Sequence, residues 1–228
     1  VNASRNGTHA GVGDAPTAPP RAVVVIDVLR AFTTAAYAMS LGAERILLVG
    51  SVDQAIAVKA LLGPRTLTLA DGSARDDIDL VNSPALLKAS PLAGRTLVMT
   101  TKNGTAAALA ARTEGLLLCA SFVNAAATAN HLRKHARDVT FVASGGPSAE
   151  EDGACAEYLA ALLHDPVADP APFLARAAHA PARAVLDRRC AAGDSGVHAD
   201  DVALCLDVDA APVALVGTPH EYGIQLLR

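Results

Sequence analysis

Short β-branched and leucine-rich runs alternate with alanine-rich stretches from Arg21 onward, the pattern of a sheet covered by helices on both faces. Six runs have the length of buried strands, at residues 22–27, 45–49, 66–70, 96–100, 116–120 and 139–143. Helices are expected between them at 33–41, 52–62, 84–89, 105–112 and 124–135, with a longer one at 150–163. Local punctuation supports these bounds. Ser51 followed by Gln54 forms a capping box, Gly42 and Gly63 stand where helices should stop, and Ser83-Pro84 reads as an N-cap with proline in the first turn. Beyond residue 163 the pattern weakens. A proline- and aspartate-rich connection at 164–172 precedes a helical stretch at 173–189, and 203–207 with 213–216 predicts a terminal hairpin turning at 209–212. The expected fold is α/β, a three-layer α/β/α arrangement around a largely parallel or mixed sheet. It forms one domain over 21–228, with any subdomain break near 164–172.

Composition narrows the picture. The first twenty residues, VNASRNGTHAGVGDAPTAPP, contain neither a basic start nor an apolar run and are expected to be a disordered tail. Over all 228 residues, 19 Lys and Arg stand against 23 Asp and Glu, a net charge of −4 that offers no cationic field to a phosphate backbone. Nucleic acid is therefore not an expected partner. Fifty residues are alanine, so the 51% hydrophobic content describes an ordinary core with alanine-rich helices. No run approaches the roughly 20 apolar residues of a bilayer span, so no membrane partner is expected and the cytoplasm is the expected location. Cys119, Cys155, Cys190 and Cys205 are widely spaced without a CxxC pair, which predicts buried thiols in a reducing compartment.

The chemistry lies in where the polar residues fall. Asp27 and Arg30 follow the first strand, Asp71 the third, Thr101-Lys102-Asn103-Gly104-Thr105 the fourth, Ser121 and Asn124 the fifth, and Ser144-Gly145-Gly146 with Glu151-Asp152 the sixth. If those strands run parallel, the clusters converge on one crevice at their carboxyl ends. A carboxylate ending an apolar strand needs a cation nearby, so Asp27 is either ion-paired with Arg30 or a Mg²⁺ ligand or nucleophile with Arg30 as a phosphate clamp. Asn103-Gly104 is a turn dipeptide and Thr105 an expected N-cap, which together present backbone N–H groups to an anion. Glu151 and Asp152 suit either a helix first turn or a metal. The histidines show neither HExxH nor a paired spacing, and carboxylates alone favour Mg²⁺ over zinc.

In their order, Ile26-Asp27-Val28-Leu29-Arg30-Ala31, Asn82-Ser83-Pro84, Thr101–Thr105, Ser121-Phe122-Val123-Asn124-Ala125 and Glu151-Asp152 with Cys155-Ala156 resemble the 2-phosphosulfolactate phosphatase (ComB) family. The resemblance covers most of residues 22–163, with an echo at Leu204-Cys205-Leu206-Asp207-Val208-Asp209. It implies a Mg²⁺-dependent hydrolase of phosphorylated 2-hydroxycarboxylic acids, its namesake substrate lying on the route to coenzyme M. Mapped onto this chain, Asp27, Arg30, Asn103 and Thr105 become the catalytic candidates. Asn82, Ser83, Thr101, Lys102, Gly104 and Asn124 become the substrate-binding ones, and Asp27, Asp71, Glu151 and Asp152 the metal set. The chain departs from the family pattern twice. Asp71-Gly72-Ser73, with Arg75 the nearest cation, stands where relatives carry Gly-Glu-Arg, and Lys102 replaces a threonine. The alternative is a catalytically weakened paralogue that binds a phosphorylated or acidic metabolite. A haloacid-dehalogenase-type phosphatase needs an Asp where Leu29 stands. A homo-oligomer is compatible with the sequence, which does not fix the number of copies.

Overall fold

The computed structural model describes residues 20–111 and 115–228. The expected tail at 1–20, Pro20 apart, and Arg112, the expected end of a helix, lie outside these residues. Nine strands form one sheet among the described residues: β1 (Arg21–Ile26), β2 (Arg45–Leu48), β3 (Thr66–Ala70), β4 (Leu80–Val81), β5 (Thr96–Thr100), β6 (Leu116–Ala120), β7 (Asp138–Ala143), β8 (Leu215–His220) and β9 (Gly223–Leu227). Their order is β4-β3-β5-β2-β9-β8-β6-β1-β7. The first four are mutually parallel, as are the last three. Between these blocks the β8–β9 hairpin makes three successive antiparallel pairings. Three reversals turn one block against the other, so the carboxyl ends of β1, β6 and β7 point to the opposite rim from those of β2, β3 and β5. The strands do not share one direction as a wholly parallel sheet would, yet the loop after β5 still reaches the end of β1, with Gly104 against Asp27.

Side chains alternate between the faces with the period of two that a strand imposes. Val25, Ile46, Leu48, Leu97, Met99, Leu117 and Cys119 face a layer made by α1 (Ala31–Ser40), α3 (Pro84–Leu87) and α4 (Gly104–Ala110). On the other face α2 (Val52–Leu62) covers Leu47, Val49 and Val98. There α5 (Ala125–His135), α6 (Glu150–His164) and α7 (Ala171–Ala178) cover Val24, Ile26, Leu118 and Ala120. Helix α1 is buried from Ala31 to Met39, because its alanines and threonines let neighbours approach from every side. Helix α4 joins the two blocks. Gly104 at its start abuts Asp27 beyond β1, and Leu109 in its last turn comes within 3.2 Å of where a side chain at Gly223 would begin.

The largest departures from the expected elements lie after α6. The helix expected at 173–189 is two, α7 and α8 (Pro181–Ala191), because Pro181 holds Ala180 in an extended conformation. The strand expected at 203–207 is a helix, α9 (Asp201–Cys205), and the hairpin turns at Glu221-Tyr222 instead. Pro219 lies inside β8 opposite Ile224. The stops at Gly42 and Gly63 and the caps at Ser51 and Ser83 fall where expected. No helix among the described residues is long and apolar enough to cross a membrane.

Candidate active site

Asp27 leaves β1 just as the strand ends and is 6% exposed. Its Oδ1 accepts from the Ala31 N–H at 2.9 Å, which ties the carboxylate to the first turn of α1, and its Oδ2 accepts from Ser144 Oγ at 3.0 Å. Asp152, from the first turn of α6, accepts from the Val28 N–H at 2.8 Å, from the Ser144 and Gly145 N–H groups at 3.1 and 3.4 Å, and from Ser144 Oγ at 3.2 Å. Ser144 therefore stands between two carboxylates with one hydroxyl proton to give. Burial raises the pKa of Asp27, and the charge of Asp152 adds to the shift. Burial likewise raises Asp152, helped by Glu151. Glu151 is also buried and raised by desolvation, and its Oε2 has no hydrogen-bond partner. No ion pair among the described residues includes any of these three acids.

The loop from β5 into α4 closes on this centre. A Cβ on Gly104 would lie 2.7 Å from Asp27 Oδ2 and from Ala31 Cβ, so only glycine allows the approach. Helix α4 starts at Gly104, not after Thr105 as expected. Thr101 does the capping, its Oγ1 accepting from the Thr105 N–H at 2.9 Å and lying 3.1 Å from Thr105 Oγ1. Thr101 and Thr105 thus hold the loop, while the N–H groups of Asn103 and Gly104 have no partner among the described residues. Asp71 fixes the other side. Its Oδ1 accepts from Asn82 Nδ2 at 2.9 Å and its Oδ2 from the Lys102 N–H at 2.7 Å. One N–H of the Asn82 amide goes to Asp71, and its Oδ1 is a buried acceptor without a partner. Arg75, the nearest cation in sequence, turns away to Asp77 at 2.6 Å on the surface.

Arg30 does not pair with Asp27. It is 4% exposed, and its NH1 donates to Asp201 Oδ2 and to the Gly196 carbonyl, the latter at 3.1 Å. Ser83 joins the same acid, its Oγ donating to Asp201 Oδ1 at 2.6 Å. Asn124 has no capacity left for a substrate. Its Oδ1 accepts from the Ser121 N–H at 2.8 Å and its Nδ2 donates to the Cys119 and Val213 carbonyls at 3.3 and 3.1 Å, so this fully buried amide ties the β6–α5 turn to the chain before β8. Ser144, Gly196 and Asp201 were not among the expected site residues. Ser144 follows an apolar strand and was visible as a polar cluster; Asp201 opens a run that reads as a strand, which hid it.

The expected metal set therefore divides. Both oxygens of Asp27, Asp71 and Asp152 accept hydrogen bonds, whereas Glu151 Oε2 is buried with no partner among the described residues. Among the described residues no three His, Cys, Asp or Glu side chains form a ready-made metal cage. Mg²⁺ asks for less, commonly one or two carboxylates with water and substrate phosphate, and the unpaired Glu151 Oε2 beside Asp27 fits that demand. His131 and His135 do form a pair, one turn apart on α5 with ring centroids 4.5 Å apart, but among the described residues no third ligand joins them.

Fold and site together define a mixed-sheet α/β/α protein with a buried acidic centre assembled from both strand blocks. The chain belongs to the family described as 2-phosphosulpholactate phosphatase, whose model matches residues 13–216. It is 38% identical over 149 residues to a probable 2-phosphosulfolactate phosphatase of Bacillus subtilis, covering 64% of this chain and 65% of that protein. Proteins of the same description from Carboxydothermus hydrogenoformans and Deinococcus radiodurans are each 39% identical, over 64% and 63% of this chain and 62% and 63% of their own lengths. The chain thus spans somewhat less than two thirds of these relatives.

Proposed function

We propose that this protein is a Mg²⁺-dependent phosphatase of phosphorylated 2-hydroxycarboxylic acids, with 2-phosphosulfolactate or a close analogue as substrate. The observation that carries the reading is the group of three buried carboxylates, Asp27, Glu151 and Asp152, gathered without a cation beside backbone donors at Asn103 and Gly104. Such a group favours a divalent ion over three separate charges. Asp27 and Glu151 would hold Mg²⁺, which when bound neutralises charge on the phosphoryl group. The chain's own residues do the rest. The Nε and NH2 edge of Arg30, the Asn103 and Gly104 N–H groups and Lys102 take phosphoryl oxygens. Ser144 and the Ala31 N–H keep the Asp27 carboxylate turned toward that loop. Asn82 Oδ1 is an acceptor and suits a hydroxyl or water, not the substrate carboxylate or sulfonate.

Phosphate release from a panel of phospho-2-hydroxy acids, with Mg²⁺ and with EDTA, tests this. Metal-dependent release from 2-phosphosulfolactate or phospholactate is the expected result, and absence of release from every member overturns it. A second reading, a binder that does not turn its ligand over, draws on the Asp71 lock and the outward Arg75 where the family pattern has Gly-Glu-Arg. It predicts thermal stabilisation by these same compounds with no phosphate released.

A further inference from the structure

We infer that Asp201 is a positioning residue that presets Arg30 as a two-pronged clamp for an oxyanion, and that the segment 194–201 belongs to the site. Arg30 leaves β1 by way of the short turn before α1, and nothing in its own loop fixes its long side chain. The fixing comes from 171 residues away. Asp201 is fully buried at the start of α9, and four donors converge on its carboxylate: Arg30 NH1, Ser83 Oγ at 2.6 Å, the Ala85 N–H at 3.1 Å and the His198 N–H at 3.0 Å. The Gly196 carbonyl takes a second bond from the same NH1 at 3.1 Å. The segment is itself pinned over the β3 loop, by Ser73 Oγ on Asp194 at 2.8 Å and the Ala74 N–H on Ser195 Oγ at 3.0 Å. Gly196 leaves no room for a side chain there, because a Cβ would lie 1.8 Å from the Gly72 carbonyl oxygen.

The consequence is directional. A guanidinium has five N–H donors in one plane. With both NH1 partners on one side, Nε–H and NH2 form the opposite edge, and among the described residues that edge has no partner. Nε and NH2 are the fork that meets a carboxylate or a phosphoryl group through two parallel bonds. Asp201 therefore sets the angle at which the fork is offered. Its carboxylate never touches the ligand.

This inference rests on the proposed phosphatase reading, and the test separates the two. In a double-mutant cycle on kcat/KM, Asp201→Asn is expected to cost about 10²-fold in the wild-type background, the scale of a misplaced binding group. In an Arg30→Ala background it should cost less than about threefold, since there is no clamp left to aim. Ser83→Ala, which removes one of four donors, is the milder variant and should cost about three- to tenfold with the same loss of effect in the Arg30→Ala background. Equal costs in both backgrounds, or kcat/KM within twofold of wild type for Asp201→Asn, overturn the inference. If wild type releases no phosphate, the phosphatase reading fails, and the clamp is then tested by stabilisation with inorganic phosphate. Loss of that stabilisation in both Arg30→Ala and Ser83→Ala supports the clamp, and its retention in either rejects it.

Discussion

Asp201 and Asp27 are both buried carboxylates, exposed by 0% and 6% respectively, yet one is surrounded by donors and the other by acids. Around Asp201 an arginine, a hydroxyl and two backbone N–H groups satisfy both oxygens within the protein. Around Asp27 the neighbours are Asp152 and Glu151, one serine proton is shared between two acids, and Glu151 Oε2 has no donor. On the proposed reading, the difference separates a positioning carboxylate from one that meets the cation and substrate. Burial marks both, but only the second is left short of positive charge, and the cation and substrate that would supply it come from outside the chain.

Breaking the contrast at its functional pole should have the largest effect. Asp27→Asn is expected to lower Mg²⁺-dependent phosphate release by about 10³-fold or more while the melting temperature holds or rises, because a like charge has been removed. Steady-state rates read beside a thermal melt check both halves. The structural pole behaves in the opposite sense. Asp201→Ala leaves Arg30 buried without its partner and should cost about 3–5 kcal/mol of stability in urea titrations. Glu151→Gln, an equally buried acid, should stay within about 1 kcal/mol of wild type or gain. Comparable losses in the two variants would erase the distinction. Gly104→Ala drives a methyl into Asp27 Oδ2 and Ala31 Cβ, so about 1–3 kcal/mol and a roughly 10²-fold loss of turnover are expected together.

The smallest effect is on pH dependence. Folding raises Asp27 from 3.8 to about 7 and Asp152 in the same direction, so the folded state holds protons that the unfolded chain has released. Their stabilising contribution is full below about pH 4 and is lost as pH rises toward 7. In EDTA the melting temperature should therefore fall across that window. With Mg²⁺ present the fall should flatten, because the ion binds the deprotonated acids. A melting temperature that climbs from pH 4 to 7 in EDTA would contradict the sign.

Much of the fold was legible because buried strands and alanine-rich helices announce themselves locally; all six expected strands before residue 144 begin within one residue of their observed positions. The sheet's direction was not legible. Strands β8 and β9 come last in the chain yet lie in the middle of the sheet, and the reversal they impose depends on pairings made far apart in sequence. The site divides in the same way. Asp27, Gly104, Glu151 and Asp152 stood out as polar residues after apolar runs, and the structure brings them together. Asn124 stood out equally but is consumed by backbone carbonyls, which only the fold could reveal. Asp201 was hidden because the run that follows it, 203–207, reads as a strand, and its anchoring to Arg30 and Ser83 is long-range.

Calorimetric titration of Mg²⁺ into wild type, Asp27→Asn and Ser83→Ala at neutral pH tests the contrast between the two carboxylates most directly. Binding in wild type and Ser83→Ala with loss in Asp27→Asn is the predicted result. Binding of equal strength in Asp27→Asn, or none in wild type, would contradict the assignment of the Asp27 centre as the cation site.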